Sequence, residues 1–292
     1  MTRLSDTLDR LVEFVTDNPR LTVLTGAGIS ADSGIPTYRD NAGSWQHSTP
    51  ITHQEYIAEP RRRQRYWARS MQGWPLIRDA RPNVAHRVLS RLEQWGYIEL
   101  IITQNVDRLH QRAGSVKVID LHGRVDQVNC LDCDWTCSRE HIQQQLVRQT
   151  PTANAVVHNA RPDGDADVSE EQIAAITSPR CEQCGGVLMP DVVFFGGSVP
   201  KARVEQCSEA VTAADALLVV GSSLQVFSGF RFCRLAKQLG KPLAVINPGV
   251  TRADSIADLK LSTPCGPLLD ALLVRLATER DQATTCAAGS PN

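Results

Sequence analysis

The sequence predicts an α/β fold built on a parallel sheet, on three observations. Apolar runs of strand length recur along the chain, each continuous rather than alternating, as strands covered on both faces are. Segments of helical periodicity lie between them, so strand and helix alternate. The first run ends in a glycine turn in which Gly26, Gly28 and Ala31 satisfy G-x-G-x-x-A, the entry to a Rossmann-type nucleotide-binding unit.

In chain order, LSDTLDRLVEFVTDNPR puts Leu4, Leu8, Leu11, Val12 and Val15 on one helical face, with Ser5 as N-cap and Pro19 beyond the end. LTVLT then reads as a buried strand running into the glycine turn. Further strands are expected at 98–103 (IELIIT), 116–121 (VKVIDL), 191–195 (DVVFF), 216–221 (ALLVVG) and 242–247 (PLAVIN). Helices are expected in NVAHRVLSRLEQWG, capped by Asn83 and stopped at Gly96, in KARVEQCSEAVTAA, between Ser223 and Gly240, and in PLLDALLVRLATE. TTCAAGSPN reads as a frayed tail.

Two stretches break the alternation. Residues 41–82 hold three of the five tryptophans and a basic run without a strand, and residues 129–186 hold two CxxC pairs around a polar loop at 151–172. Both are read as insertions forming a smaller helical and zinc-binding domain, leaving 1–40, 83–128 and 187–292 as the Rossmann-type domain.

The chain has 292 residues, with 31 Lys+Arg against 32 Asp+Glu for a formal net charge of −1. That balance gives no basic footprint for nucleic acid or a membrane surface. No apolar run approaches the roughly 18 residues of a transmembrane helix, and the N-terminus opens polar, so a cytoplasmic enzyme is expected. Nine cysteines are too few for a disulfide scaffold, and the odd number leaves at least one unpaired.

The glycine turn alone suits a pyrophosphate, or is a turn without a ligand. Gly34-Ile35-Pro36 interrupts any helix within one turn, which argues against a dehydrogenase. His122 ends a strand, where a reacting imidazole or a packed one are both ordinary. Gln104, Asn105 and Asp107 end another; they suit a carboxamide and a ribose, or a simple helix cap. Ser222 and Ser223 follow ALLVVG and open a helix, and Asn247 and Gly249 follow PLAVI, where hydroxyls, amides and close backbone approach suit ribose or phosphate. Tyr66 and Arg69 lie one helical turn apart and can present a hydroxyl and a guanidinium together, or belong to a solvated basic helix.

Cys130 and Cys133 form one CxxC knuckle and Cys181 and Cys184 the other, with Gly185-Gly186 turning tightly after the second. Four thiolates on two knuckles suit a closed tetrahedral site for one structural zinc ion, the reading preferred to a disulfide or a redox pair. Cys137 is the weaker candidate, because its spacing from Cys133 is not that of a knuckle.

GAGISADSGIPTYRD (26–40), TQNVDRLH (103–110), LHGR (121–124), the paired CxxC, PDVVFFGG (190–197), GSSLQVFSG (221–229) and INPG (246–249) resemble, in order and spacing, the sirtuin family of NAD-dependent protein deacylases. The resemblance covers roughly residues 5–275. KLSTPCG, RYWAR and the PDGD…SEEQ insertion look most like class II, the group of the animal mitochondrial lipoamidase-type sirtuin.

The resemblance implies NAD-dependent removal of acyl groups from protein lysine, releasing nicotinamide and 2′-O-acyl-ADP-ribose. His122 would be the base that deprotonates the NAD ribose, with Asn105 and Asp107 forming the nicotinamide pocket. NAD contacts are implied for Gly26, Ala27, Gly28, Ser30, Thr37, Tyr38, Arg39, Gln104, Gly221, Ser222, Ser223, Asn247 and Gly249. Cys265 would lie beside the adenine through its backbone and is not read as a nucleophile. Val193, Phe194, Phe195 and Gly196 would pair with the substrate backbone and line the acyl-lysine tunnel, equally the signature of a buried strand. Tyr66 and Arg69 are similar to the Tyr-x-x-Arg pair that reads acidic acyl groups. Thr37 stands where the family often has an acidic residue and Tyr38 replaces the commoner Phe, implying altered loop closure. An acyl-lysine protein substrate and a monomeric state are expected. An ADP-ribosyltransferase and a non-catalytic NAD-sensing module are the alternatives.

Overall fold

The computed structural model describes residues 2–40, 42, 44, 50–150, 164 and 166–288. Trp45 and most of the 151–172 loop, including most of PDGD, lie outside the described residues.

In chain order the elements are α1 (Thr2–Asp17), β1 (Leu21–Thr25), a 3-10 turn (Ala27–Ser33), α2 (His53–Ala58), α3 (Pro60–Asp79), α4 (Val84–Gln94), β2 (Ile98–Thr103), α5 (Leu109–Arg112), β3 (Val118–Asp120), β4 (Gly123–Cys130) and β5 (Thr136–Ser138). They continue with α6 (Arg139–Gln149), α7 (Glu170–Ala175), β6 (Leu188–Val192), α8 (Lys201–Ala213), β7 (Ala216–Val220), α9 (Phe227–Gln238), β8 (Leu243–Ile246), β9 (Leu259–Leu261) and α10 (Cys265–Ala288).

The predicted parallel sheet is present, with six strands ordered β3-β2-β1-β7-β8-β9. Its central strands are buried at every position, and alternate residues feed two cores. Val23, Ile101 and Leu218 pack with Leu11, Leu89 and Leu272 on one face, while Leu24, Ile102 and Val219 pack with Val211 and Phe232 on the other. Each such side chain contributes roughly 1.5–3 kcal/mol on burial, so the sheet is held between two layers of helix. Strand order changes direction between β1 and β7, and the loops after β1, β2, β7 and β8 gather at the carboxyl ends, where α/β sheets bind ligands.

Several expectations need correction. DVVFF is not a parallel strand: β6 ends at Val192 and pairs antiparallel with β4 in a separate three-stranded sheet, β5-β4-β6. The apolarity of Phe194 comes from stacking on Tyr56, with centroids 4.9 Å apart, rather than from a covered strand. The 116–121 run forms a strand only over Val118–Asp120. Ser5 lies inside α1 rather than capping it, and α10 continues through Ala288, past the start of the expected tail. Ser222 and Ser223 do not open a helix, because α9 starts at Phe227. Asn83 caps α4 as predicted, accepting from the Ala85 amide at 2.9 Å. Its amide nitrogen also donates to the Ile29 carbonyl at 2.7 Å, fastening α4 to the glycine turn.

Candidate active site

A cavity of about 930 Å³ opens at the carboxyl ends of β1, β2 and β7. Its wall includes every predicted cofactor residue except Gly249, together with His122, Tyr66 and Val193–Gly196. Gly249 is not a lining residue; its carbonyl accepts from the Asn247 side chain at 3.0 Å and from Lys260 at 2.9 Å.

The glycines serve a different purpose from the one their motif suggests. A Cβ on Gly26 would sit 2.7 Å from the Ser222 Cβ, and one on Gly28 would sit 2.8 Å from the Gly221 carbonyl oxygen. The Gly28 amide instead donates to that carbonyl at 2.8 Å. Close approach here is between the turns after β1 and β7, and the cradle for a ligand is what their contact leaves between them.

The polar side chains in the cradle hold one another. Asp107 is buried and accepts from the Ser30 hydroxyl at 2.7 Å and the Leu109 amide at 2.8 Å, so it ties the first residue of α5 to the wall. Burial raises its pKa above the usual carboxylate value. Asn105 donates through its amide nitrogen to the Gly26 carbonyl and the Ser30 hydroxyl, both at 3.1 Å. Since a carbonyl only accepts, that contact fixes the amide orientation. Gln104 donates to Ser222 at 2.8 Å and to the Thr25 carbonyl at 3.1 Å.

His122 follows β3, with Nδ1 2.9 Å from the Gln104 carbonyl and Nε2 2.7 Å from the Ser228 hydroxyl. The carbonyl requires the proton on Nδ1, so Nε2 carries the lone pair and Ser228 donates to it. Burial pushes the pKa down to about 4, with Arg203 acting in the same direction and the Gln104 carbonyl opposing. The imidazole is therefore neutral at physiological pH, as a base must be. Cys265 lies at the start of α10 and burial lifts its thiol to about 11, which suits packing rather than nucleophilic chemistry.

On the substrate side, the Val193 amide donates to the His122 carbonyl at 2.8 Å and the Phe195 carbonyl accepts from His53 at 2.8 Å. Phe194, Tyr66 and Tyr56 form an aromatic cluster, with Tyr66 and Phe194 centroids 5.4 Å apart. Tyr66 and Arg69, expected to present a hydroxyl and a guanidinium together, have different surroundings. Tyr66 lines it, whereas Arg69 donates to the Ala166 carbonyl at 2.9 Å and faces Asp167.

The four knuckle cysteines converge as predicted, with sulfur atoms all within 4.8 Å of one another. Cys130 and Cys184 are 3.5 Å apart and Cys133 and Cys181 3.7 Å. Tetrahedral zinc with ~2.3 Å bonds needs sulfur–sulfur edges near 3.8 Å, and a disulfide needs about 2.05 Å, so the set fits zinc and Cys137 lies outside it. The amides of Asp132 and Gly186 each donate to a ligand sulfur at 3.4 Å, which favours the thiolate.

Residues 26–228 match the Sir2 family. The chain belongs to the Sir2 family. The resemblance read from the motifs is thereby borne out. An NAD-dependent protein deacetylase of Bordetella bronchiseptica is 49% identical over 91% of this chain and 97% of its own length. One from Xanthomonas campestris pv. campestris is 50% identical over 91% of each chain. A solved Sir2–p53 peptide–NAD+ complex superposes with a TM-score of 0.73 at 28% identity, covering 93% of this chain and 99% of that one. A Sir2 homologue bound to NAD gives 0.71 at 29% identity, over 93% and 94% of the two chains.

Sequence reasoning assigned no role to several polar members of the wall, among them Lys201, Arg231 and Ser228. Ser228 had a signal only once the start of α9 was correctly placed, because it is the second residue of that helix. No helix among the described residues is long and apolar enough to cross a membrane.

Proposed function

We propose that this Sir2-family protein removes acyl groups from protein lysines in an NAD-dependent reaction. The observation that carries the reading is the convergence of His122, Gln104, Asn105, Asp107 and Ser30 on one cavity between two glycine turns. NAD bound there supplies a nicotinamide–ribose bond whose cleavage leaves an electrophilic carbon for the acyl oxygen.

The chain's own residues then have separable tasks. Gly26–Gly28, Gly221–Ser223 and Asn247 hold the nucleotide, and Asn105 offers its side-chain oxygen to the carboxamide, its nitrogen being engaged by Gly26 and Ser30. Asp107 and Ser30 fix that loop. His122, neutral and with Nε2 as acceptor, takes the proton of a ribose hydroxyl. Tyr66, Phe194 and Val193 form the apolar wall for the acyl-lysine stem and keep water out. Thr37, Tyr38 and Arg39 close over the nicotinamide end, where Tyr38 meets Phe195 edge to face at 6.1 Å.

The smaller domain consists, on this reading, of the helical stretch 41–82 and the zinc module. Its sheet runs from Gly123 to Val192, slightly wider than the 129–186 predicted. The metal would be held by Cys130, Cys133, Cys181 and Cys184 and would stabilise the module rather than react. We place the enzyme in the cytoplasm as a monomer.

The test is incubation of the purified protein with NAD and acetyl, propionyl, lipoyl, succinyl and glutaryl peptides. Deacylation with nicotinamide release is expected, and deacylation is expected to be abolished in His122→Ala. Labelled ADP-ribose on protein without any deacylation would instead select ADP-ribosyl transfer.

A further inference from the structure

We propose that Ser228 is the proton relay between the ribose hydroxyl and His122. The inference rests on the reading of His122 as base and names the group through which that base works. Three observations place Ser228 in this position. Its hydroxyl is 2.7 Å from Nε2, the nitrogen left as acceptor once Nδ1–H is committed to the Gln104 carbonyl. Ser228 and His122 line the same cavity, so the hydroxyl that meets Nε2 belongs to a residue of the wall a substrate would touch. Its neighbour Gly229 leaves no room for a side chain, since a Cβ there would lie 2.5 Å from the Gln104 Oε1. The first turn of α9 is thus packed against the residue that holds the other end of the imidazole. The ring is held at both nitrogens, by the Gln104 carbonyl at Nδ1 and by the Ser228 hydroxyl at Nε2.

In the relay, the substrate hydroxyl donates to Ser228 Oγ while Ser228 donates to Nε2. The substrate O–H bond breaks as that proton joins Oγ. The original Ser228 proton moves to Nε2 at the same time. Serine ends as it began, the imidazole becomes imidazolium, and the substrate oxygen gains the electron pair for attack. No further reactant is needed.

The experiment compares wild type with Ser228→Ala, Ser228→Thr, His122→Ala and the Ser228→Ala/His122→Ala double variant. Deacylation turnover is measured beside exchange of labelled nicotinamide into NAD, a step that precedes proton removal and reports a folded, loaded site. Ser228→Ala is expected to lose at least about 100-fold in deacylation kcat, the lower end for general base catalysis, with exchange retained. Ser228→Thr, which keeps the hydroxyl, is expected to recover most of that loss. The double variant is expected to be no slower than His122→Ala, as for two groups serving one step. Full deacylation in Ser228→Ala with an inactive His122→Ala overturns the relay alone. Full deacylation in His122→Ala overturns the base itself. Loss of both exchange and deacylation in Ser228→Ala, unrepaired by threonine, assigns Ser228 to nucleotide binding and overturns the relay.

Discussion

The Ser30 hydroxyl donates to the buried Asp107 carboxylate at 2.7 Å, joining the turn after β1 to the loop after β2 across the floor of the cavity. Burial raises the Asp107 pKa and this hydrogen bond opposes the rise, so the bond stabilises the charged form. Its contribution is present above the Asp107 pKa and is lost as pH falls through it. Ser30→Ala is therefore expected to cost about 1–3 kcal/mol near neutrality, the range for leaving a buried polar group short of a partner. The deficit should shrink in acid. Urea midpoints of wild type and Ser30→Ala at both pH values test this, and an equal deficit at both would show that the bond does not discriminate between protonation states.

The histidine makes a prediction about rate rather than stability. Burial holds the His122 pKa down to about 4, so the imidazole stays neutral as pH falls through its ordinary value of about 6.5. The acid limb of kcat/KM for NAD should accordingly lie well below pH 6.5. A limb at or above 6.5 that moves in His122 variants would mean that the free enzyme solvates this ring far better than its surroundings indicate.

How far the sequence revealed these features depends on what surrounds each residue. LTVLT and ALLVV were legible because both faces of a central parallel strand are covered, so every position is apolar. Gly123–Cys130 was not, because its half-exposed face carries Arg124 and Asp126, paired at 2.6 Å, within an alternating pattern that a continuous-run criterion passes over. β9 has three residues, too few for a period. The zinc ligands were legible because knuckle spacing itself constrains geometry. Ser228 was hidden because its role depends on which nitrogen of a histidine distant in sequence is already occupied.

The zinc module allows a metal test. Cys130 ends β4 while Cys181 and Cys184 precede β6, so one ion ties the two strands that border the substrate segment. Purified protein should contain about one zinc per chain. Chelation, or Cys184→Ser, should lower the melting temperature by about 10 °C or more, as several kcal/mol would in a chain of this size. Deacylation should fall with the loss of structure. A metal-free protein that remains fully active and equally stable would remove the structural role.

Arg69 separates two accounts of acyl selectivity. Were it a reader of carboxyl-bearing acyl groups, its guanidinium would face the cavity beside Tyr66. Instead it is buried, donates to the Ala166 carbonyl at 2.9 Å and faces Asp167, anchoring the segment that leads into α7. Arg69→Met should therefore leave the ratio of glutaryl to acetyl turnover unchanged while lowering stability by about 1.5–3 kcal/mol, the range for a charged hydrogen bond. Peptide turnover with both acyl groups and a urea titration of the same preparation make the measurement. A selective loss of glutaryl turnover at unchanged stability would return Arg69 to the substrate, through a rearrangement of the 166–167 segment on binding.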